Sequence, residues 1–180
     1  MAGLAAAGLL AMAAATAQGP RYGIGRPATA EETAGWNIDV TPDGAGLPAG
    51  HGSVREGARI YALACASCHG ANGGGGAVER GPPLAGGRGS LATAHPDKTV
   101  GSYWPYATTL FDYIRRAMPY NAPESLTADE VYAVSAYVLY LNGIVAEGAQ
   151  LDADTLAKIR MPNRLGFKNA YQEETRGLWR

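Results

Sequence analysis

Cys65-Ala66-Ser67-Cys68-His69 decides how this chain is read, because C-x-x-C-H is the spacing at which a c-type haem is covalently attached. Two thiols three residues apart stand on one turn, where each can add to a haem vinyl group. The histidine that follows is then held under the iron, its imidazole nitrogen serving as proximal ligand. Zinc sites and thioredoxin-like redox pairs also use C-x-x-C. Zinc calls for about four ligands, and the sequence offers only these two cysteines and the scattered His51 and His95. A thioredoxin-like pair belongs in a strand-helix-strand pattern, whereas these flanks read as helical, Ala-rich and Gly-rich. The expected cofactor is therefore covalent haem c, one per chain, on Cys65, Cys68 and His69.

Toward the N-terminus, Met1 to Ala17 is Ala/Leu-rich and uncharged, and it ends Ala15-Thr16-Ala17 before Gln18. That is the pattern of a secretory leader with an A-x-A cleavage site, although no Lys or Arg precedes Arg21. The apolar stretch falls short of the ~20 residues a spanning helix needs. A periplasmic chain beginning near Gln18 is the expectation, and haem attachment outside the cytoplasm agrees with it. In a disulfide-permissive compartment the two cysteines would ordinarily pair; here both are used on haem. A net charge of −1 selects no partner class. No basic stretch points to nucleic acid and no later apolar run is long enough to cross a membrane.

Four blocks are expected: a leader over 1–17, an irregular Gly/Pro-rich arm over 18–52, a haem domain over 53–145, and a tail over 146–180 with a short helix. In the arm, Trp36, Ile38 and Val40 alternate as a short extended anchor. Ser53-Val54-Arg55-Glu56 is a capping box that starts a helix. Ala58, Tyr61, Ala62 and Cys65 are expected on one face, with Gly57 and Tyr61 offering a second helix a close approach. The run Gly70 to Gly76 cannot hold a helix and leaves space near a haem edge, or is a plain surface loop. In Gly81-Pro82-Pro83-Leu84 the carbonyl of Pro82 is a candidate acceptor for the second ring N–H of His69; a proline turn is the other reading. Helices are predicted over Ala107 to Ala117 and from a second capping box at Thr127, with Val131, Val134, Val138 and Leu141 as the inner stripe and Gly143 as C-terminal cap. Asp152 to Ile159 is expected as a short helix and Phe167 as an anchor in the tail.

The residue in the sixth iron position decides between carrier and catalyst, because Met/His ligation closes a site that otherwise binds oxygen or peroxide. Of four methionines, Met1 and Met12 fall in the leader. Met118, at the end of a predicted helix and before Pro119, is the favoured ligand; Met161, His51, His95 and an open site are the alternatives. An open site would make the chain a haem enzyme or a gas or redox sensor. Arg115 and Arg116 either guide docking or form a solvated helix face.

An opening helix, C-x-x-C-H, G-P-x-L, a methionine before proline and a final aromatic-bearing helix resemble class I cytochromes c. More closely, the chain resembles the cytochrome subunits of periplasmic sulfur-oxidising dehydrogenases, the SoxD type and its sulfite dehydrogenase relatives. That resemblance lies in Gly101-Ser102-Tyr103-Trp104-Pro105-Tyr106, Phe111 to Pro119, Leu126-Thr127 with Glu130-Val131-Tyr132-Ala133, and Met161-Pro162-Asn163-Arg164. It implies an all-α class I cytochrome c fold, three to five helices around one haem, flanked by the irregular arm and tail. It also implies thioethers at Cys65 and Cys68, His69 and Met118 as axial pair, and Trp104 and Tyr106 as haem-propionate contacts or core packing. The implied function is electron transfer, without catalysis by this chain. The implied partners are a molybdenum-cofactor dehydrogenase subunit of sulfite or sulfane type and a downstream cytochrome or oxidase. SoxD-type chains typically carry a second haem domain, whereas this sequence has one C-x-x-C-H.

Overall fold

Side-chain caps mark where helices begin in the computed structural model, which describes residues 22–76 and 81–169. Thr29, Ser53, Thr127 and Asp152 each accept a hydrogen bond from the backbone amide three residues on. Each such cap satisfies an orphan amide and contributes about 1 kcal/mol. The leader expected over 1–17 lies outside the described residues.

The described residues up to Asn37 form a unit of their own. It holds helix α1 (Ala30–Ala34), where Thr29 and Glu32 make a reciprocal box and Arg26 pairs with Glu32. The sequence reading gave this stretch no helix. With no buried residue α1 has no apolar period to betray it, and only the cap announces it.

The second unit begins at Ile38 and carries the C-x-x-C-H turn. Its elements are β1 (His51–Ser53), α2 (Val54–Ala64), α3 (Ala66–His69), a 3₁₀ turn at Ser90–Ala92, α4 (Ala107–Ala117), α5 (Ala128–Leu141), β2 (Gln150–Asp152) and α6 (Ala153–Leu156). The fold is helical, as read from the sequence, with one addition. β1 and β2 pair antiparallel, His51 opposite Asp152 and Ser53 opposite Gln150, so the segment that enters α2 is bonded to the segment that enters α6. Three-residue strands are too short to show an alternating pattern.

Helix α5 is the centre, in contact with α2, α4, β1 and β2. Val131 through Ala136, Val138 and Leu139 are buried, so it is covered nearly all round rather than along the single stripe expected. The buried line on α2 is Val54, Gly57 and Tyr61, and Ala62 is exposed. Gly57 sets that line. A Cβ on Gly57 would lie 1.9 Å from the Ala133 carbonyl oxygen, so α2 touches the backbone of α5 through the missing side chain. Tyr61, one turn on, packs its ring 5.2 Å from that of Tyr137. Gly52 in β1 meets the same point from the strand side, with its would-be Cβ 2.3 Å from the Ala133 nitrogen.

Of the expected extended anchor, Val40 is buried, Ile38 is half-buried, and Trp36 belongs to the first unit. The tail contributes Leu151, Leu156 and Met161 to the same core. Asn142 is the cap residue of α5, and Gly143, with φ of 63°, follows it. Replacing Gly57 by Ala is expected to cost about 2 kcal/mol or more, the scale of core overpacking. Thermal denaturation of the haem-loaded variant, compared with a surface control such as Arg59→Ala, checks it.

Candidate functional site

The end of α2 hands the chain to the C-x-x-C-H turn. Cys65 is the C-cap residue of α2, its amide donating to the Tyr61 carbonyl at 2.9 Å. The next turn, α3, is closed by the Cys68 and His69 amides, which both donate to the Cys65 carbonyl, at 3.1 and 3.0 Å. Residues i, i+3 and i+4 share a helical face, which puts Cys65, Cys68 and His69 on one side of that turn. Both cysteines are free thiols, half-buried. Burial, followed by the neighbouring Cys68, pushes the Cys65 thiol up to about 11.

His69 Nδ1 lies 2.9 Å from the Pro82 carbonyl oxygen. A carbonyl can only accept, so Nδ1 carries the proton and Nε2 keeps the lone pair for a metal. Gly81 makes this approach possible, since a Cβ there would sit 2.9 Å from both Nδ1 and the Cys68 carbonyl oxygen. The loop behind the histidine is also bonded: Gly75 N–H donates to the His69 carbonyl at 2.9 Å, and the Tyr61 hydroxyl donates to the Gly70 carbonyl at 3.0 Å. The sequence singled out Tyr61 for helix packing alone. Its second role is invisible there because the fold of the glycine loop decides where the Gly70 carbonyl points.

Met118 ends α4, its amide donating to the Ile114 carbonyl at 3.0 Å, and packs half-buried against the core. Met161 is 3% exposed and a core member. His51 and His95 are exposed. Trp104 is half-buried, edge-on to Tyr113 at 5.7 Å between ring centroids. The Arg164 guanidinium stacks 4.4 Å over the Tyr106 ring, while the Asn163 amide donates to the Tyr103 carbonyl at 2.7 Å. Two of the strings that carried the resemblance, 101–106 and 161–164, are thus spent on each other. Arg115 and Arg116 are engaged as well: Arg115 donates to the Ile38 carbonyl at 3.4 Å, and Arg116 pairs with Asp112 and, at 3.3 Å, with Asp39.

Among the described residues no group of three or more His, Cys, Asp or Glu side chains could hold a metal ion. The donors present suit haem c: two thiols and an imidazole on one turn, and a half-buried thioether packed against the core.

A cytochrome c family model matches residues 54–142. Among solved structures, the sulfane dehydrogenase SoxCD from Paracoccus pantotrophus contains a chain 40% identical to this one. The alignment covers 88% of this chain and 77% of that chain, with a TM-score of 0.80. This chain is a class I c-type cytochrome. It resembles the SoxD type, and covalent haem c is the cofactor of its family. The thiosulfate dehydrogenase TsdBA from Marichromatium purpuratum shares 30% identity over 48% of this chain and 17% of that chain, at a TM-score of 0.36. No curated protein matches. The cytochrome is an electron-transfer protein, and no described helix is long and apolar enough to cross a membrane.

Burial, followed by the Cys65 and Tyr137 charges, pushes the Tyr61 hydroxyl of the cytochrome from 10.0 up to about 12. Tyr132, whose hydroxyl donates to the Pro48 carbonyl, is raised to about 12 as well, by burial first and Asp152 second. Between pH 10 and about 12 the unfolded chain gives up these protons and the folded chain keeps them. The stability they confer is complete below the lower value and drains as pH rises through the upper one. Guanidinium unfolding across that window is expected to show the loss, and Tyr61→Phe is expected to reduce it to the part that Tyr132 carries.

Proposed function

We propose that this chain is a periplasmic mono-haem cytochrome that accepts single electrons from a molybdenum-cofactor dehydrogenase oxidising sulfane sulfur or sulfite, and delivers them to a further cytochrome or oxidase. The observation that carries this reading is the 40% identity, over 88% of the chain, to a chain of a sulfane dehydrogenase. The leader-like 1–17 segment supports the compartment, and the single C-x-x-C-H supports one haem.

In this reading Cys65 and Cys68 anchor the cofactor by thioethers, and His69 and Met118 are the axial pair. Haem c, when bound, supplies a one-electron iron couple whose potential a thioether ligand raises. The chain's own contribution is orientation and exclusion. The Pro82 carbonyl fixes the tautomer and plane of His69 and raises its basicity as a ligand. Leu84, Trp104 and Leu126, half-buried against the core as Met118 is, are in this reading the apolar side chains that would line the porphyrin, lowering the local dielectric and so tuning potential. The chain itself makes and breaks no substrate bond.

Visible spectra of the periplasmically expressed protein, with Met118→Ala and Met161→Ala, test the ligand assignment. The weak far-red sulfur-to-iron band is expected to disappear in Met118→Ala alone. Met161→Ala is expected to keep the band and lose ~2–5 kcal/mol of stability, as for a fully buried methionine. A pyridine haemochrome assay is expected to return one haem per chain, and rapid mixing with a sulfite- or sulfane-charged molybdenum dehydrogenase is expected to reduce it.

A further inference from the structure

Helix α4 is held on two sides, and only one of them is the core. Leu110, Phe111 and Ile114 face inward and are buried. The other grip is on the strap Ile38–Pro42. The Thr108 hydroxyl donates to the Pro42 carbonyl at 3.3 Å. The Val40 amide donates to Asp112 Oδ1 at 3.1 Å, and the Arg116 guanidinium donates to Asp112 Oδ2. Arg116 also reaches Asp39, and Arg115 the Ile38 carbonyl.

Asp112 is the hub, only 8% exposed, with a partner on each oxygen. A buried carboxylate with both oxygens matched is costly to disturb, because removing its charge leaves a donor unpaired. Two contacts of the clasp, those of Arg115 and Arg116, fall in the last turn of α4, which ends at Met118. Helix ends fray where nothing secures them, and a soft, neutral thioether is readily displaced by competing bases when its helix end opens.

We propose that Asp112 is a positioning residue for Met118, acting through Arg116 and the Ile38–Pro42 strap to keep the last turn of α4 closed and the thioether in place. This rests on Met118 being the sixth iron ligand. Asp112 touches neither the haem nor its iron in this scheme. Its effect is on how often the distal position is open.

The test uses the haem-loaded full chain and imidazole as competing ligand, with three variants. Asp112→Asn keeps an acceptor for the Val40 amide and loses the ion pair, and Arg116→Gln loses the same pair from the other side. Thr108→Val breaks the strap contact farthest from Met118, about 15 Å away along the helix. Asp112→Asn and Arg116→Gln are expected to bind imidazole about tenfold more tightly, the scale of one charged hydrogen bond, with a weakened far-red band and a lower potential. Thr108→Val is expected to melt lower and keep the affinity of the unmodified protein. Unchanged affinity and band in both hub variants, with or without a lower melting temperature, overturns the proposal and leaves the clasp a stability feature. Should Asp112→Asn fail to fold, Arg116→Gln decides. An unmodified protein without the band, or a band that survives Met118→Ala, overturns the ligand reading itself, and the positioning role with it.

Discussion

The contact of Gly57 with the Ala133 backbone is the constraint on which the rest of this cytochrome depends. A side chain at position 57 would overlap the Ala133 carbonyl, so α2 and α5 meet at one place along their lengths. That contact fixes the height and direction at which α2 ends, and α2 ends at Cys65. Tyr61 lies between contact and motif and serves both. Its ring packs on Tyr137 and its hydroxyl holds the Gly70 carbonyl just beyond His69. Gly52 brings β1 to the same alanine, so the strand joining domain and tail is registered against the same point.

The two sides of the candidate haem site are built differently. The turn around His69 is short-range: the Cys68 and His69 amides bond the Cys65 carbonyl, Gly70 bonds Ala66 and Gly75 bonds His69, while the Pro82 carbonyl reaches His69 from farther along the chain. Met118, Trp104 and Tyr106, the other candidates, are held by distant segments. Met118 depends on α4, α4 depends on α5 and on the Ile38–Pro42 strap, and the loop carrying Trp104 and Tyr106 is held by Asn163 and Arg164 of the tail. A change in packing elsewhere therefore reaches the surroundings of Met118, whereas disturbing His69 requires breaking the turn itself.

This division explains what could be read ahead of the structure. The span of α4, predicted over Ala107 to Ala117, came from Leu110, Tyr113, Ile114 and Ala117 at i, i+3, i+4 and i+7 and from the stop before Pro119, although Tyr113 is exposed and Phe111 takes its place in the core. The boxes at Ser53 and Thr127 came from residues three apart. The helix α1, the strands β1 and β2, and the burial of α5 on nearly every side left no such trace. They arise from a cap without a core, from pairing across a hundred residues (His51 with Asp152), and from neighbours arriving on several faces at once. Arg115 and Arg116 read as a docking pair or a solvated helix face, since nothing in a local window shows that Asp39 and Ile38 are placed beside them.

By itself the sequence determined the family chemistry and the proximal turn, because the spacing of Cys65, Cys68 and His69 is a property of one helical turn and needs no other part of the chain. The partner of His69 was legible only as an option, since a proline carbonyl and a proline turn have the same letters. Tertiary structure alone decided that Met161 is a buried core residue while Met118 lies at the half-buried rim, that Asp112 is a buried hub, and that the tail closes on the 101–106 loop. Those outcomes turn on which segments meet in space, and a meeting between segments so far apart along the chain is set by the packing of the whole core rather than by any local run of residues.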